Sequence, residues 1–285
     1  MINKNKKMQK YSQDGIVYVE RSLQKDENTS LPFIRLPGNL LKQFGISEYE
    51  FVLLKKGMLR LPVQIRKTIE EDEGKCVVRL SPRVKEAFKS VVNDPLHIVP
   101  PECIVLVVDT SGSMEEENKL VYAKEAIISL VTNETKSVTM NHIGVVEFSS
   151  SAYMISPITR EFQEIPEKIK NLIADGSTEM YLGMGKARDM LKDKTNMKRI
   201  ILLSDGQPQK PDLAIREAEQ CKKKGVIIDT IGFGEGENID IDLLKKIAAM
   251  TGGKFFHVRE IRKLSSVMLP LVDDKKYLPA FTQDQ

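Results

Sequence analysis

From Glu102 onward, short apolar segments alternate with segments of helical periodicity, and this alternation restricts the fold more than any other feature of the chain. The predicted strands are rich in β-branched and aromatic residues: CIVLVVD, IGVVEFS, RIILLSD, VIIDTIGF and KFFHV. Several are apolar throughout, which is typical of a parallel sheet covered by helices on both faces. A further segment, YMISPIT, directly follows IGVVEFS and is predicted to pair back on it as a short edge strand.

The segments between these strands have the three- and four-residue spacing of amphipathic helices. In residues 119–132 the spaced apolar residues are Leu120, Ala123, Ile127 and Leu130. Asp212 is predicted to cap a helix near 212–224, and Asp240 precedes a helix predicted over 241–251. The predicted order β-α-β-β-α-α-β-α-β-α-β-α describes a doubly wound, Rossmann-like α/β domain with a mainly parallel sheet.

Residues 15–100 follow a different pattern, in which one unit occurs twice. A shift of 44 positions without gaps places IRLPGNLLKQF (34–44) over VRLSPRVKEAF (78–88) and matches Arg35 with Arg79. The same shift aligns predicted strands before and after this segment. Each unit is therefore predicted to be ββαβ. Because neither unit can bury its apolar surface alone, we expect the two to close around a shared core as a small β-barrel.

This repeat resembles the double-psi β-barrel superfamily. Relatives of that superfamily include AbrB-type regulators, whose related units bind DNA as dimers, and the amino-terminal adaptor-binding domains of AAA+ unfoldases. The resemblance covers about 85 residues and depends on the pattern and a few identities, such as Leu36 with Leu80 and Phe44 with Phe88. It implies a barrel that binds another macromolecule.

Oxygen-bearing side chains follow two predicted strands and precede one predicted helix. The first α/β strand runs into VVDTSGSM, which contains Asp109, Ser111 and Ser113. The loop DGSTEMYLGM contributes Thr178, and LLSDGQP contributes Asp205 directly after the strand RIILL. Because the carboxyl ends of parallel strands meet at one edge, we expect these oxygens to converge there. Hydroxyl and carboxylate oxygens favour Mg²⁺, Mn²⁺ or Ca²⁺ over zinc or copper.

The order DxSxS, then Thr, then Asp resembles the metal-ion-dependent adhesion site (MIDAS) of the von Willebrand factor A (vWA) family, and the resemblance spans roughly 102–272. It implies a site in which Ser111 and Ser113 bind the cation directly, Thr178 binds directly or through water, and Asp109 and Asp205 lie in the first or second shell. The family further implies that an acidic side chain of a partner protein completes the metal's coordination. Three residues that flank the site are predicted to form a partner-binding rim: Met114, Glu115 and Tyr181.

The sequence motifs do not match those of the enzyme classes that have a similar fold or turn. Haloacid-dehalogenase-like phosphatases have DxD after the first strand, but position 111 is Ser. TSGSM does not supply the G-x-S-x-G of serine hydrolases. GFGEG at 232–236 lacks the features of a phosphate-binding loop, and the three histidines (His97, His142, His257) show no ligand spacing. We therefore expect no catalytic residues.

Composition and charge bear on partners and location. Residues 1–100 carry a formal charge of +6 and the remainder −3, so nucleic-acid binding by the barrel stays open as an alternative function. The longest aliphatic stretch, CIVLVV at 103–108, is far shorter than the ~20 residues of a membrane span. The amino-terminal end lacks the apolar run of a secretory signal. Three widely spaced cysteines without a CxxC pattern favour a reducing cytoplasm.

Together these patterns predict four regions: a basic flexible tail at 1–14, the barrel at 15–100, the vWA domain at 101–275 and a second tail at 276–285. The predicted function is divalent-metal-dependent protein binding by a cytoplasmic adaptor, in which a partner's acidic side chain reaches the metal. By resemblance alone, one expected partner is an AAA+ ATPase. Nucleic acid is the less expected partner, and no membrane partner is expected.

Overall fold

The computed structural model describes residues 16–22, 32–68, 70–137, 141–234 and 239–272. The chain divides into two compact units at the peptide between Pro101 and Glu102. The predicted tails at 1–14 and 276–285 lie outside the described residues, as does the end of the predicted vWA domain at 273–275. Those boundaries stay predictions.

The first unit is a closed six-stranded barrel with strand order β1-β5-β2-β4-β3-β6. Its elements are β1 (Ile16–Glu20), β2 (Phe33–Leu36), α1 (Gly38–Phe44), β3 (Phe51–Lys56), β4 (Leu59–Lys67), β5 (Val77–Leu80), α2 (Pro82–Phe88) and β6 (Pro95–Val99). They form two ββαβ halves, as the repeat predicts. A shift of 44 residues carries β2 onto β5 and α1 onto α2 without an offset at either end.

The strand pairing has the same internal symmetry as the sequence. β1 pairs in parallel with β5, and β4 pairs in parallel with β2; β1 is antiparallel to β6, and β4 is antiparallel to β3. Exchanging the halves therefore reproduces the pairing. Apolar side chains from both halves fill one core, and among them Val17, Leu36, Leu54 and Leu80 are fully buried. This shared core explains why the unit needs both repeats.

The second unit contains a six-stranded sheet in the order β12-β11-β10-β7-β8-β9. Its strands are β7 (Cys103–Asp109), β8 (His142–Phe148), β9 (Ala152–Thr159), β10 (Lys198–Ser204), β11 (Val226–Phe233) and β12 (Phe255–Val258). Its helices are α3 (Lys119–Thr135), α4 (Ile165–Lys170), α5 (Met180–Leu191), α6 (Pro211–Lys223), α7 (Ile241–Thr251) and α8 (Leu264–Val272). Short 3₁₀ segments cover Gly112–Asn118 and Ile261–Lys263.

The five main strands are parallel, and β9 is antiparallel to β8 as an edge strand, as predicted. Every residue of β7 is buried, because alternate side chains enter the two helical layers. Ile104 belongs to the core under α3, α4 and α8, whereas Val105 belongs to the core under α5, α6 and α7. The predicted doubly wound fold and element order are confirmed.

The helix boundaries show a cap at Asp240, which precedes its helix as predicted, and correct the cap predicted at Asp212. Asp240 accepts a hydrogen bond from the amide of Leu243 at 3.0 Å and so caps α7. Asp212 lies inside the first turn of α6, which begins at Pro211 without a side-chain cap. Proline is suited to the first helical position because the amide that it lacks has no helical partner there. No helix in the described part of the chain has both the length and the apolar composition that crossing a bilayer requires.

Candidate metal centre

The predicted ligands lie in three loops at one edge of the sheet. Asp109 ends β7 and Asp205 follows β10, and these two strands are neighbours in parallel register. Thr178 lies in the loop that leads into α5. Four of the predicted ligands are buried, namely Asp109, Ser111, Thr178 and Asp205, whereas Ser113 is partly exposed. The topology therefore brings together side chains that are almost 100 positions apart along the chain.

The DxSxS turn is held from its buried side. Asp109 accepts a hydrogen bond from the amide of Ser111 at 2.9 Å through Oδ1 and one from the hydroxyl of Ser204 at 2.6 Å through Oδ2. The side chain of Met114 is fully buried in the core beneath the turn. These contacts fix the backbone from which Ser111 and Ser113 project.

A chain of two hydrogen-bond distances links three side-chain oxygens of two loops, with Ser113 in the middle. The Oγ atoms of Ser111 and Ser113 are 3.2 Å apart, and Ser113 Oγ donates to Oδ1 of Asp205 at 2.9 Å. A β-carbon placed on Gly206 would lie 3.5 Å from both Ser113 Oγ and Thr178 Oγ1. The Thr178 hydroxyl therefore faces the same space as the serine hydroxyls.

The loop that carries Thr178 is tethered on both sides. The amide of Gly112 donates to the carbonyl of Gly176 at 3.0 Å, and the amide of Gln209 donates to the carbonyl of Thr178 at 3.0 Å. Gly176 has a φ of 81°, and a β-carbon there would lie 2.6 Å from Ser150 Oγ. Glycine is therefore required at this position on both conformational and steric grounds.

These oxygens fit a hard divalent cation. Adjacent ligands around an octahedral Mg²⁺ with bonds of about 2.1 Å are about 3 Å apart, which matches the observed 2.9 and 3.2 Å separations. The oxygens open into a cavity of about 270 Å³, which Ser111, Ser113, Thr178 and Asp205 help to line. Within the described ranges no three His, Cys, Asp or Glu side chains converge, so a cation here would depend on hydroxyl ligands.

Burial dominates the electrostatics of the carboxylate at the base of the site. It raises the pKa of Asp109 to about 6, and the charge of Asp205 adds to the effect, whereas hydrogen bonds from Ser111 and Ser204 act in the opposite direction. A divalent cation beside this group would favour its ionised form.

A lysine that the sequence analysis did not single out completes the charge arrangement. Lys119, the first residue of α3, places Nζ 2.7 Å from Oδ2 of Asp205, and both side chains are buried. Burial lowers the pKa of Lys119, but the hydrogen bond to Asp205 and the negative charge of Asp205 raise it by a larger amount. The pKa of Lys119 therefore lies above its ordinary value. The ammonium group is thus charged and lies against the site.

Ser204 is the second residue that sequence reasoning missed. It ends β10, where the pattern RIILLSD indicates an apolar strand, and its hydroxyl is buried against Asp109. A signal for it existed, because a hydroxyl at the end of a doubly covered strand needs a partner. For Lys119 there was no comparable signal, since a lysine at a helix start is ordinarily solvated.

The three predicted rim residues have different environments. Met114 is fully buried in the core, so its assignment to a partner-binding rim was wrong; the 3₁₀ turn directs its side chain inward. Glu115 is exposed beside the turn. Tyr181 is partly exposed, lies 5.7 Å from the Lys210 ammonium, and lines a different cavity, with Arg188 and Glu217.

The second unit of this chain is similar to known proteins in sequence and in fold. The von Willebrand factor type A domain profile matches residues 104–269. A UPF0353 protein from Mycolicibacterium paratuberculosis (strain ATCC BAA-968 / K-10) is 27% identical over 191 residues, which cover 56% of this chain and 57% of that protein. The chain thus spans little more than half the length of the curated relatives that it matches first.

Solved structures share the fold of the second unit. A von Willebrand factor type A protein from Catenulispora acidiphila superposes with a TM-score of 0.54 at 22% identity, covering 62% of this chain and 43% of that one. Proximal thread matrix protein 1 from the mussel byssus, with a zinc-occupied MIDAS motif, gives a TM-score of 0.51 at 24% identity, covering 61% and 47%. At these identities the likeness concerns the fold alone.

Proposed function

This chain belongs to the von Willebrand factor type A domain family, and from that premise we propose that it is a divalent-metal-dependent protein-binding protein. In this proposal Ser111, Ser113 and Thr178 hold the cation, and Asp109 and Asp205 bind or orient it. A carboxylate from a partner protein completes the coordination. The cation supplies a positive, Lewis-acidic contact for that carboxylate.

The observation that carries the proposal is the clustering of hydroxyls and one carboxylate at about the spacing of adjacent metal ligands. Neutral hydroxyls do little to reduce the charge of a cation, so a loaded site would attract a further anion. We propose Mg²⁺, Mn²⁺ or Ca²⁺ as the cation, because each of these candidate ligands is a hard oxygen. The zinc in the mussel protein's MIDAS motif shows that this motif also accepts zinc in that protein.

We further propose that the protein is not an enzyme. None of the described side chains that line the cavity is a histidine or cysteine. Burial raises the pKa of the Cys221 thiol to about 12, so that thiol is a poor nucleophile. The three histidines lie in β6, β8 and β12, and none of them is among the residues that line the cavity.

The barrel suggests a second contact. We propose that it has the double-psi architecture and docks one component, with an AAA+ ATPase as the proposed partner, while the metal site binds another. The closed barrel with two ββαβ halves supports this architecture. The three cysteines are buried thiols that form no disulfide bond, which supports a reducing cytoplasm as the setting. Nucleic-acid binding by the barrel is the alternative, and a steep salt dependence of duplex binding would favour it.

The first experiment measures Mn²⁺ binding by electron paramagnetic resonance for the wild-type chain, Asp109→Ala and the control Asp193→Ala. Asp193 is an exposed carboxylate that follows the last residue of α5, whereas Thr178 precedes the first residue of the same helix. We expect Asp109→Ala to weaken Mn²⁺ binding by about 100-fold or more and Asp193→Ala to leave it unchanged. Equal binding by all three chains would contradict the proposed site.

A second experiment tests partner recognition. The wild-type chain and Asp109→Ala are used as baits in native lysate, with Mg²⁺ or with EDTA. We expect a set of proteins that the wild-type chain retains in Mg²⁺, that EDTA releases, and that Asp109→Ala does not retain. Identical retained sets under all four conditions would show that metal-dependent recognition is not the function of this site.

A further inference from the structure

Lys119 is a buried cation in direct contact with the proposed metal site. Its Nζ lies 2.7 Å from Oδ2 of Asp205 and 3.4 Å from the carbonyl oxygen of Ser113. Because Ser113 donates to Oδ1, both carboxylate oxygens of Asp205 are engaged from within the chain. Lys119 also lines the cavity into which the hydroxyls open. Its charge therefore acts on whatever binds there.

The backbone before Lys119 is held in an unusual conformation. Glu117 and Asn118 have φ values of 52° and 58°, in the left-handed region that costs free energy for residues other than glycine. Both side chains are exposed, so burial of these residues does not offset the cost. This turn starts α3 at Lys119 and brings its side chain to Asp205. Strained backbone at a site is typical of a functional constraint.

Lys119 changes the net charge of the metal-loaded site. Asp109 and Asp205 contribute two negative charges and a divalent cation two positive charges, so Lys119 makes the loaded site net positive. Without it the loaded site would be neutral. The other carboxylate beside Lys119 is Glu116, whose Oε2 lies 3.6 Å from Nζ. Since 67% of the Glu116 side chain is exposed, solvent screens most of its effect.

We propose that Lys119 determines the ligand specificity of the site: it weakens binding of the divalent cation alone and strengthens binding of an acidic side chain to the loaded site. This inference rests on the proposed function. The two effects have opposite signs because the same positive charge repels the metal and attracts the carboxylate. Lys119 is thus a specificity residue that selects anionic over neutral ligands, and it also positions Asp205.

The test compares the full-length wild-type chain with Lys119→Met, Lys119→Gln and Lys119→Arg. Mn²⁺ affinity is measured without ligand. The water-proton relaxation of the Mn²⁺-loaded chain is then followed during titration with acetyl-Gly-Glu-Gly-amide, and with its Gln counterpart as a neutral control. For Met and Gln we expect Mn²⁺ affinity to rise, and Glu-peptide affinity to fall, each on the order of tenfold. Arginine should retain both wild-type values.

The pattern of results separates this inference from the proposed function. A chain in which Lys119 were only structural would lose both affinities in the Met and Gln variants, and that outcome would overturn the inference. Tighter Mn²⁺ binding with unchanged Glu-peptide affinity would also overturn it. If the wild-type chain bound no Mn²⁺, the proposed metal site itself would fall, and the inference with it. The Gln variant can still donate to Asp205, so it tests the charge even if the Met variant unfolds.

Discussion

Ser204 and Asp109 show how single hydrogen bonds prepare the site. Asp109 is fully buried, so each of its oxygens needs a donor, and Ser204 supplies one for Oδ2 while the Ser111 amide supplies one for Oδ1. Removing the Ser204 hydroxyl would take away the donor to Oδ2 of this buried carboxylate. The position of Asp109 therefore depends on a neighbouring strand as well as on its own turn.

At this scale we predict that Ser204→Ala weakens Mn²⁺ binding by about 10- to 100-fold, because residues that orient ligands contribute about that much. The free energy of unfolding should fall by about 1–3 kcal/mol, the usual cost of an unsatisfied buried group. Urea denaturation and Mn²⁺ titration measure the two effects. Ser156→Ala is the control, since Ser156 is a buried serine of β9 whose hydroxyl contacts the carbonyl of Pro157. A metal affinity unchanged by Ser204→Ala would refute the orienting role.

Helix α5 illustrates how an element carries the site. It begins just after Thr178, and it packs closely on the sheet at Gly183. A β-carbon at Gly183 would lie 2.8 Å from Val107 Cγ1 and 2.8 Å from Phe148 Cδ1. The absent side chain therefore lets the helix approach β7 and β8. Two positions later, a β-carbon at Gly185 would lie 3.6 Å from Glu217 Cδ, an ordinary contact.

The two glycines give a matched pair of substitutions on one helix. Gly183→Ala should lower the free energy of unfolding by about 1–3 kcal/mol, because the methyl group overpacks the helix against the sheet. Gly185→Ala should leave stability unchanged or raise it by up to about 1 kcal/mol, since alanine is the better helix former. Chemical denaturation of both variants measures the difference. Equal effects of the two substitutions would mean that helix propensity, and not close packing, governs this helix.

The whole molecule combines a barrel whose halves need each other with an α/β unit whose functional edge is assembled from three loops. The loops are rigidly tied by backbone hydrogen bonds, so the proposed site is largely formed before any ligand binds. A ligand that binds only the folded chain stabilises it by mass action. Metal binding should therefore register as a change in overall stability.

For the full-length chain we predict that Mg²⁺ at about 100 times its Kd raises the stability of the α/β unit by about 2.7 kcal/mol relative to EDTA. For a unit of this size the melting temperature should rise by about 5 °C or more. Differential scanning calorimetry measures the shift. Ser113→Ala removes one proposed ligand and should abolish most of it. A wild-type melting temperature that is indifferent to Mg²⁺ would speak against a metal site in this chain.

Much of this molecule follows from sequence patterns alone. The order of strands and helices was predictable because strands buried on both faces must be apolar throughout, and helices that cover them must carry one apolar face. The barrel's two halves followed from a 44-residue shift that the structure reproduces at β2, β5, α1 and α2. The five proposed ligands were recognisable because their oxygens follow strand ends or precede a helix, and strand ends in a parallel sheet share one edge.

Tertiary structure decided the roles of Lys119 and Met114, and it decided which group the Ser204 hydroxyl contacts. The Lys119–Asp205 ion pair joins residues 86 positions apart, and the Ser204–Asp109 hydrogen bond joins residues 95 apart. Neither pairing leaves a local periodicity. Met114 follows the DxSxS turn like a surface residue, but its direction depends on a 3₁₀ turn and the core beneath it. Local sequence determines which backbone forms, whereas the burial of a side chain depends on which distant groups the completed fold places beside it.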